Sequence, residues 1–199
     1  MGTVLTVVAG IGSLAFTGVA TYYGALASQD QLEQSREDSE REARSQAMQV
    51  SFWFEGAGTA RPVLHVMNRS PDPVNGAVVR FQLRIFAKEE SQHDTMASVA
   101  IRFDALPPCS LQTIETGQLR IRTHSQNEPS KLPSRPMYVT EPFLAFGDRD
   151  GRIWARFNGR LVTARETDKY KPPYHGVEVT LTGAPEETPA PDCGDDSGK

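Results

Sequence analysis

Four histidines and two cysteines are the residues of this sequence that most often ligate metals or act as nucleophiles. The histidines are far apart, and none lies within metal-ligand spacing of another or of a cysteine, so no zinc pattern is present. His65 alternates with apolar residues in the segment VLHVM, which predicts a packed side chain. The sequence has only two cysteines, Cys109 and Cys193, and this number is too small for a scaffold held together by disulfides. Because Cys193 lies in a tail that we predict to be disordered, we expect no bridge between them.

Residues 148–151 (DRDG) have two acids in the spacing of a calcium loop. A third acid and the distal glutamate are missing, so the segment indicates a hairpin turn instead. No glycine-rich phosphate loop follows a predicted strand. The sequence therefore predicts no catalytic residue, no metal and no cofactor, and it favours a protein that is not an enzyme.

Basic residues form the surface feature that could bind a ligand. On three predicted strands they share faces with each other and with one tryptophan: Arg80, Arg84, Arg120, Arg122, Arg152, Trp154 and Arg156. If these strands adjoin, the cationic stripe could bind anionic lipid headgroups, an acidic partner or the chain's own acidic tail, whereas nucleic acid is not favoured. The alternative is a solvated sheet face on which arginine stems cover apolar surface.

The first element that must position these residues is an N-terminal apolar segment. Residues 3–27 contain no charged side chain, and a helix of that length at about 1.5 Å per residue exceeds the roughly 30 Å of bilayer hydrocarbon. We therefore predict a transmembrane helix over residues 1–27 that contacts the bilayer through residues 3–27. A cleaved signal peptide is the alternative, since residues 25–27 (ALA) fit a cleavage site. Small residues recur every four positions and could support a homo-oligomer: Ala9, Ser13, Thr17, Thr21 and Ala25.

Residues 28–48 predict a charged helical stalk, because they contain six acids, three bases and neither glycine nor proline. No sustained apolar heptad seam is present, so a long coiled coil is not indicated. The three bases, Arg36, Arg41 and Arg44, follow the apolar segment, and no basic side chain precedes it. This distribution predicts a single-pass protein of the cell membrane with its C-terminal domain in the cytoplasm.

From residue 49 the apolar period changes to two, as in Val79, Phe81 and Leu83, and this pattern predicts strands with one buried face. Turn signals lie at residues 68–73, 148–151 and 158–159. The spacing predicts an all-β soluble domain over residues 49–183, an immunoglobulin-like β-sandwich of seven to nine strands. Residues 184–199 are acidic and proline-bearing, which predicts a disordered tail.

Four segments resemble a group of uncharacterised actinobacterial single-span membrane proteins with a short charged stalk and a small β domain. They are residues 30–37 (DQLEQSRE), 68–74 (NRSPDPV), 106–109 (LPPC) and 146–154 (FGDRDGRIW). The resemblance implies one span and a compact β domain, and it brings no activity with it.

The sequence predicts a membrane-anchored binding or scaffolding module with a protein partner whose identity it does not give. One alternative is an envelope-facing sandwich that binds a cell-wall or secreted partner. The other is an enzyme whose site is assembled from distant residues, because all-β enzymes can scatter their sites along the chain.

Overall fold

A computed structural model describes residues 2–86, 94–122, 130–132, 136–163 and 177–193. Within the helix and strands, side chains are described except at 2–16, 20, 95, 121–122, 177–178 and 180. The chain forms two compact units, Met1–Arg44 and Ser45–Lys199. His93, His124 and His175 lie outside the described residues.

The N-terminal helix, α1, runs without interruption over Gly2–Met48 and confirms the long helix that the sequence predicts. Arg41 pairs with Asp38 at 2.9 Å, one turn away, on the exposed surface of its charged half. Where side chains are described, no helix has a stretch long and apolar enough to cross a membrane. Thr17, Thr21 and Ala25 are exposed on α1, and oligomerisation through the small residues stays a prediction.

The described part of the second unit contains twelve strands. They are β1 Val50–Glu55, β2 Val63–Asn68, β3 Val74–Ile85, β4 Thr95–Leu106, β5 Ser110–Glu115, β6 Leu119–Arg122, β7 Ser130–Lys131, β8 Met137–Gly147, β9 Ile153–Phe157, β10 Arg160–Thr163, β11 Val177–Leu181 and β12 Glu186–Pro189. The predicted count of seven to nine is too low because polar strands such as β7 and β12 have no alternating apolar pattern.

The strands form two sheets that pack face to face. One sheet has the order β1-β2-β5-β12, and the other has the order β10-β9-β8-β3-β4-β11-β6-β7. All described pairings are antiparallel except that of β4 with β11. Phe54 of the first sheet contacts Phe81 of the second with ring centroids 4.8 Å apart. The eight-stranded sheet is larger than either sheet of an immunoglobulin domain. The immunoglobulin-like arrangement of the strands therefore stays a prediction.

The core lies between the sheets and follows the predicted period of two. In β3, Val79, Phe81 and Leu83 are buried, whereas Arg80 is half-buried and Arg84 is exposed on the opposite face. Complete burial of such an apolar side chain contributes about 1.5–3 kcal/mol. The hydrophobic effect therefore fixes which face of this strand points inward.

Asn68 joins the predicted turn at residues 68–73 to residues 106–107. Its buried amide Nδ2 donates hydrogen bonds to the carbonyl oxygens of Asp72 (2.9 Å), Leu106 (3.3 Å) and Pro107 (3.0 Å). Its Oδ1 accepts a hydrogen bond from the backbone N–H of Ser70 (3.0 Å). These bonds satisfy the polar atoms of the buried amide and hold the two segments together.

The predicted hairpin turns are present. Gly151 donates its backbone N–H to the carbonyl of Asp148 at 3.1 Å and has φ 78°, a conformation that favours glycine. Asn158 and Gly159 also have positive φ, 46° and 75°, as a two-residue hairpin turn requires.

The prediction of a disordered tail over residues 184–199 is wrong for its first part. Glu186–Pro189 forms β12, which pairs antiparallel with β5, and Gln112 donates a hydrogen bond to Glu187 at 2.6 Å. Backbone pairing with β5 orders this polar segment without an apolar face. Residues 194–199 lie outside the described residues.

The expectation that the two cysteines do not pair is also wrong. Cys109 and Cys193 form a disulfide with their Cα atoms 5.3 Å apart, a normal separation for such a bond. The pairing of β12 with β5 explains it, since Ala190 donates its N–H to the carbonyl of Cys109 at 2.8 Å. This hydrogen bond brings the end of the tail to the start of β5.

Candidate functional site

The outer face of the four-stranded sheet carries a row of interacting side chains, which we name the Trp53 face: Trp53, Glu55, His65 and Thr113. Trp53 of β1 lies opposite His65 of β2, and His65 lies opposite Thr113 of β5. The rings of Trp53 and His65 stack with centroids 4.9 Å apart and an interplanar angle of 19°. The sheet register alone thus brings together residues that are far apart in sequence.

Two hydrogen bonds hold the imidazole of His65 in place. Its Nδ1 lies 3.2 Å from the hydroxyl oxygen of Thr113, and its Nε2 lies 3.2 Å from a carboxylate oxygen of Glu55. The His65 side chain is only 13% exposed. Because His65 is fixed on both sides, it fixes the indole that stacks on it.

Trp53 keeps 40% of its surface exposed. A large aromatic side chain that is both exposed and held rigid can contact a ligand at little cost in side-chain entropy. The predicted packed role of His65 agrees with this geometry, because the ring supports Trp53. Among the described residues no group of His, Cys, Asp and Glu could hold a metal ion.

An imidazole between a hydroxyl and a carboxylate is the arrangement that activates nucleophiles in hydrolases. Here the Glu55 side chain is 75% exposed, so solvent screens its carboxylate. Neither of the two cavities described below is lined by Thr113 or His65. The arrangement therefore suits a binding surface better than a reaction centre.

The Trp53 face continues into an acidic surface. By strand alternation the outward side chains of β1, β2, β5 and β12 are Ser51, Trp53, Glu55, Val63, His65, Met67, Leu111, Thr113, Glu115, Glu186 and Thr188. Three are carboxylates and none is Lys or Arg. This surface differs in charge from the cationic stripe that the sequence predicts.

A cavity of about 350 Å³ opens at one end of the domain, and we name it the end cavity. It is lined by Ala60, Arg61, Val63, Glu115, Thr116, Gly117, Lys131, Leu132 and Met137. Val63 and Glu115 also belong to the outward residues of the four-stranded sheet, so the end cavity adjoins that surface. A second, much smaller cavity lies in the apolar core, and its lining includes Phe54, Leu64 and Phe81.

The structure does not bring the predicted arginines together. They lie on or beside β9, β3 and β6, and the sheet order places β8 between the first two and both β4 and β11 between the last two. Neighbouring strands are about 4.8 Å apart, so β3 and β6 are separated by roughly 14 Å. The three strands are therefore not neighbours in the sheet, as a continuous stripe would require.

Trp154 does not serve as an exposed aromatic. It is 5% exposed, and its indole Nε1 donates a hydrogen bond to the Oδ2 of Asp148 at 2.8 Å. The Oδ1 of Asp148 accepts hydrogen bonds from the backbone N–H groups of Asp150 (3.0 Å) and Arg152 (2.8 Å). The carboxylate therefore belongs to the turn structure, and Trp154 belongs to the core.

Two of the remaining predicted arginines contact groups close to them in sequence or across the sheet. Arg84 pairs with Asp94 at 2.8 Å, and Arg120 donates to the carbonyls of Gly117 (2.7 Å) and Leu119 (2.9 Å). Arg80 is half-buried, the backbone of Arg122 lies in β6, and Arg152 is exposed.

Arg156 has a structural role at the end of α1. Its Nη2 donates to the carbonyl oxygens of Ala47 (3.4 Å) and Met48 (3.2 Å), which have no partner within the helix. A cation is also favourable at a helix C-terminus. Burial lowers the pKa of the Arg156 guanidinium from its ordinary value. The end of α1 is thereby fastened to β9.

The sequence contained a signal for Trp53 but not for its neighbours. Alternation in residues 50–55 places Trp53 on the wet face with Ser51 and Glu55, where a large aromatic is unusual. Its contacts with His65 and Thr113 depend on strand pairing between β1, β2 and β5. Single-strand patterns do not contain that information.

These features define a helix followed by a disulfide-bonded, two-sheet β domain with an exposed aromatic surface. Comparisons with protein-family models, curated proteins and solved structures found no match to this chain. The resemblance to actinobacterial single-span membrane proteins therefore stays a prediction.

Proposed function

We propose that this chain is a membrane-anchored binding module whose β domain faces the oxidising side of the membrane. The observation that carries the proposal is the disulfide between Cys109 and Cys193. Disulfides persist in extracellular and periplasmic settings, whereas cytosolic thiol systems keep cysteines reduced. The sequence allows a cytoplasmic or an envelope-facing β domain, and only the envelope-facing orientation places the disulfide in an oxidising compartment.

The arginine distribution favours the opposite orientation, but its bias is small. Arg36, Arg41 and Arg44 lie among six acids, and Arg41 already pairs with Asp38. The orientation of a membrane helix depends on the excess of Lys and Arg in the chain segment on one side of it. Three arginines are a small excess, so they favour one orientation only weakly. The disulfide between Cys109 and Cys193 is the stronger evidence, because such a bond persists only in an oxidising compartment.

The anchor in this proposal is residues 3–27, an uncharged segment of sufficient length to cross a bilayer as a helix. The binding surface is the Trp53 face. Tryptophan is among the residues that contribute most to binding energy at protein interfaces, and Trp53 is already held in one conformation by His65. A scaffold of this kind needs no catalytic group.

The compartment can be tested by counting free thiols in intact cells. Cells that express the chain are quenched in acid, and their proteins are alkylated with a maleimide polymer that adds visible mass per thiol. We expect no addition to the full chain before reduction and two additions after reduction. A variant that lacks residues 1–27 is the matched control, because it stays in the cytoplasm and should show two additions without reduction.

Two free thiols in the full chain without reduction would overturn the proposed orientation. The anchor is tested separately by extracting membranes with alkaline carbonate. The full chain should stay in the membrane pellet, and its release into the supernatant would contradict an integral anchor.

A further inference from the structure

We infer that the end cavity is a binding site for a small molecule that carries one carboxylate or phosphate group on a short apolar body. This inference does not depend on the orientation of the domain or on the Trp53 face. It depends on the size of the cavity, the charges at its wall and the rigidity of the segments that form it.

The size of the cavity fits a small ligand. Its volume of about 350 Å³ lies at the lower end of the range for small-molecule sites, which is about 300–1,000 Å³. Met137 is almost completely buried, so the apolar surface of the wall comes from the side chains of Ala60, Val63 and Leu132. These side chains provide contact for a short hydrocarbon or ring and leave little room for a larger molecule.

The charges at the wall favour an anion. Arg61 and Lys131 both line the cavity, and neither forms an ion pair with another described residue. Glu115 is the one carboxylate among the lining residues, so the wall has a net charge of one positive unit. Each of these cations can donate charge-assisted hydrogen bonds to an anionic group. Glu115 can accept a hydrogen bond from a hydroxyl or amino group beside it.

The first wall is held in place before any ligand arrives. The loop between β1 and β2, which contributes Ala60 and Arg61, pairs with the start of β8. Gly58 donates its N–H to the carbonyl of Met137, and Met137 donates its N–H to the carbonyl of Thr59, each at 3.0 Å. The backbone N–H of Arg61 also donates to the hydroxyl of Thr59 at 3.2 Å.

A second part of the wall is held through Gln118. This part consists of Glu115, Thr116 and Gly117, where β5 enters a 3₁₀ turn (Thr116–Gln118). The side chain of Gln118 accepts the N–H of Glu115 at 2.9 Å and donates to the carbonyl of Ala184 at 3.0 Å. Such preorganisation lowers the entropic cost of binding, which matters most for a ligand with few atoms.

The test is a titration of the ¹⁵N-labelled full chain in detergent micelles, followed by amide chemical shifts. The anionic probes are butyrate and butyl phosphate, and the matched probes are butanol and butylamine. We expect saturable shifts at Ala60 and Gly117 with an anionic probe, within about 20 mM for a ligand of this size. A stronger response to butyl phosphate would identify phosphate as the preferred group, and a stronger response to butyrate would identify carboxylate.

Substitutions of the lining residues test whether the chemical-shift changes arise from binding in the end cavity. Arg61→Gln and Lys131→Gln should each weaken binding about five-fold or more, whereas Arg102→Gln, an exposed arginine on β4, should leave it unchanged. Gly117 lines the cavity and a Cβ there would meet no atom within 4 Å, so Gly117→Leu adds a side chain without a clash and should weaken binding by occupying space at the wall. Equal shifts with butanol, or anion binding that survives both charge removals, would overturn the inference.

Discussion

The disulfide makes a quantitative prediction about folding stability. We consider the double variant Cys109→Ala/Cys193→Ala, because a single variant would leave a reactive thiol. Cys109 has φ 54°, in the left-handed region, and alanine keeps the Cβ that makes this conformation costly. Backbone strain is thus the same in both proteins, and the difference between them reports the cross-link.

The magnitude follows from the length of the closed loop. The bonded residues are 84 positions apart, so the cross-link removes much of the conformational freedom of the unfolded domain. The chain-entropy relation gives about 4.5 kcal/mol for a loop of this length, and measured values for native disulfides are about 2–5 kcal/mol. For a domain of this size, a loss of about 3 kcal/mol lowers the melting temperature by roughly 10 °C.

The assay is urea unfolding of the full chain in micelles, followed by tryptophan fluorescence, since Trp53 and Trp154 both lie in the β domain. We expect the double variant to unfold at lower urea concentration. The free energy of unfolding of the double variant should also fall more steeply with urea concentration, because the unfolded chain without a cross-link exposes more surface. Reductant should destabilise the natural chain and leave the double variant unchanged.

A free-energy difference below about 1 kcal/mol, together with no response of the natural chain to reductant, would refute this reasoning. It would mean that the cross-link does not constrain the folded domain. The proposed orientation would then lose the observation on which it rests.

Three further substitutions test the internal contacts. Trp154→Phe removes the hydrogen bond to Asp148 and should cost about 1–3 kcal/mol in urea unfolding; an unchanged midpoint would contradict that contact. Asn68→Ala leaves three carbonyls without their donor and should cost about 3 kcal/mol or more, whereas Asn75→Ala, at an exposed position, should change stability by less than about 0.5 kcal/mol. Arg156→Gln should cost about 1–2 kcal/mol and speed hydrogen exchange in the last turn of α1; unaltered exchange there would show that the guanidinium does not fasten the helix.

The strands with one apolar face could be predicted from the sequence. In β3 the buried residues Val79, Phe81 and Leu83 alternate with polar ones, and the alternation alone identifies the inward face. The hairpin turns at 148–151 and 158–159 were also predictable, because their glycines adopt positive φ. Local sequence contains the physical cause of each of these features.

β12 and the disulfide could not be predicted in this way. All four residues of β12 are exposed, so no hydrophobic pattern marks the strand. It forms because its backbone groups find partners on β5, which lies far away in sequence. Cys193 comes near Cys109 only after that pairing, and composition alone indicates disorder.

The strands that carry the predicted arginine site are not adjacent, for a related reason. Spacing showed correctly that Trp154 and Arg156 share a strand face, but it did not show which face is buried. The structure places both on the inner side of β9, where Asp148 and the end of α1 supply polar partners. The contacts of Trp53 needed the order of three strands, and sequence patterns do not give strand order.

The pairing of β12 also protects the domain against self-association. Without it, β5 would present a row of free backbone donors and acceptors at the edge of its sheet, where a second chain could add a strand. Polar side chains keep β12 itself a poor template, and Cys193 fixes it covalently near the point where β5 begins. Reduction of this one bond would leave β12 held on β5 by its backbone pairing alone, so the edge of β5 would be exposed more often. The oxidised chain should therefore stay dispersed under conditions in which the reduced chain precipitates.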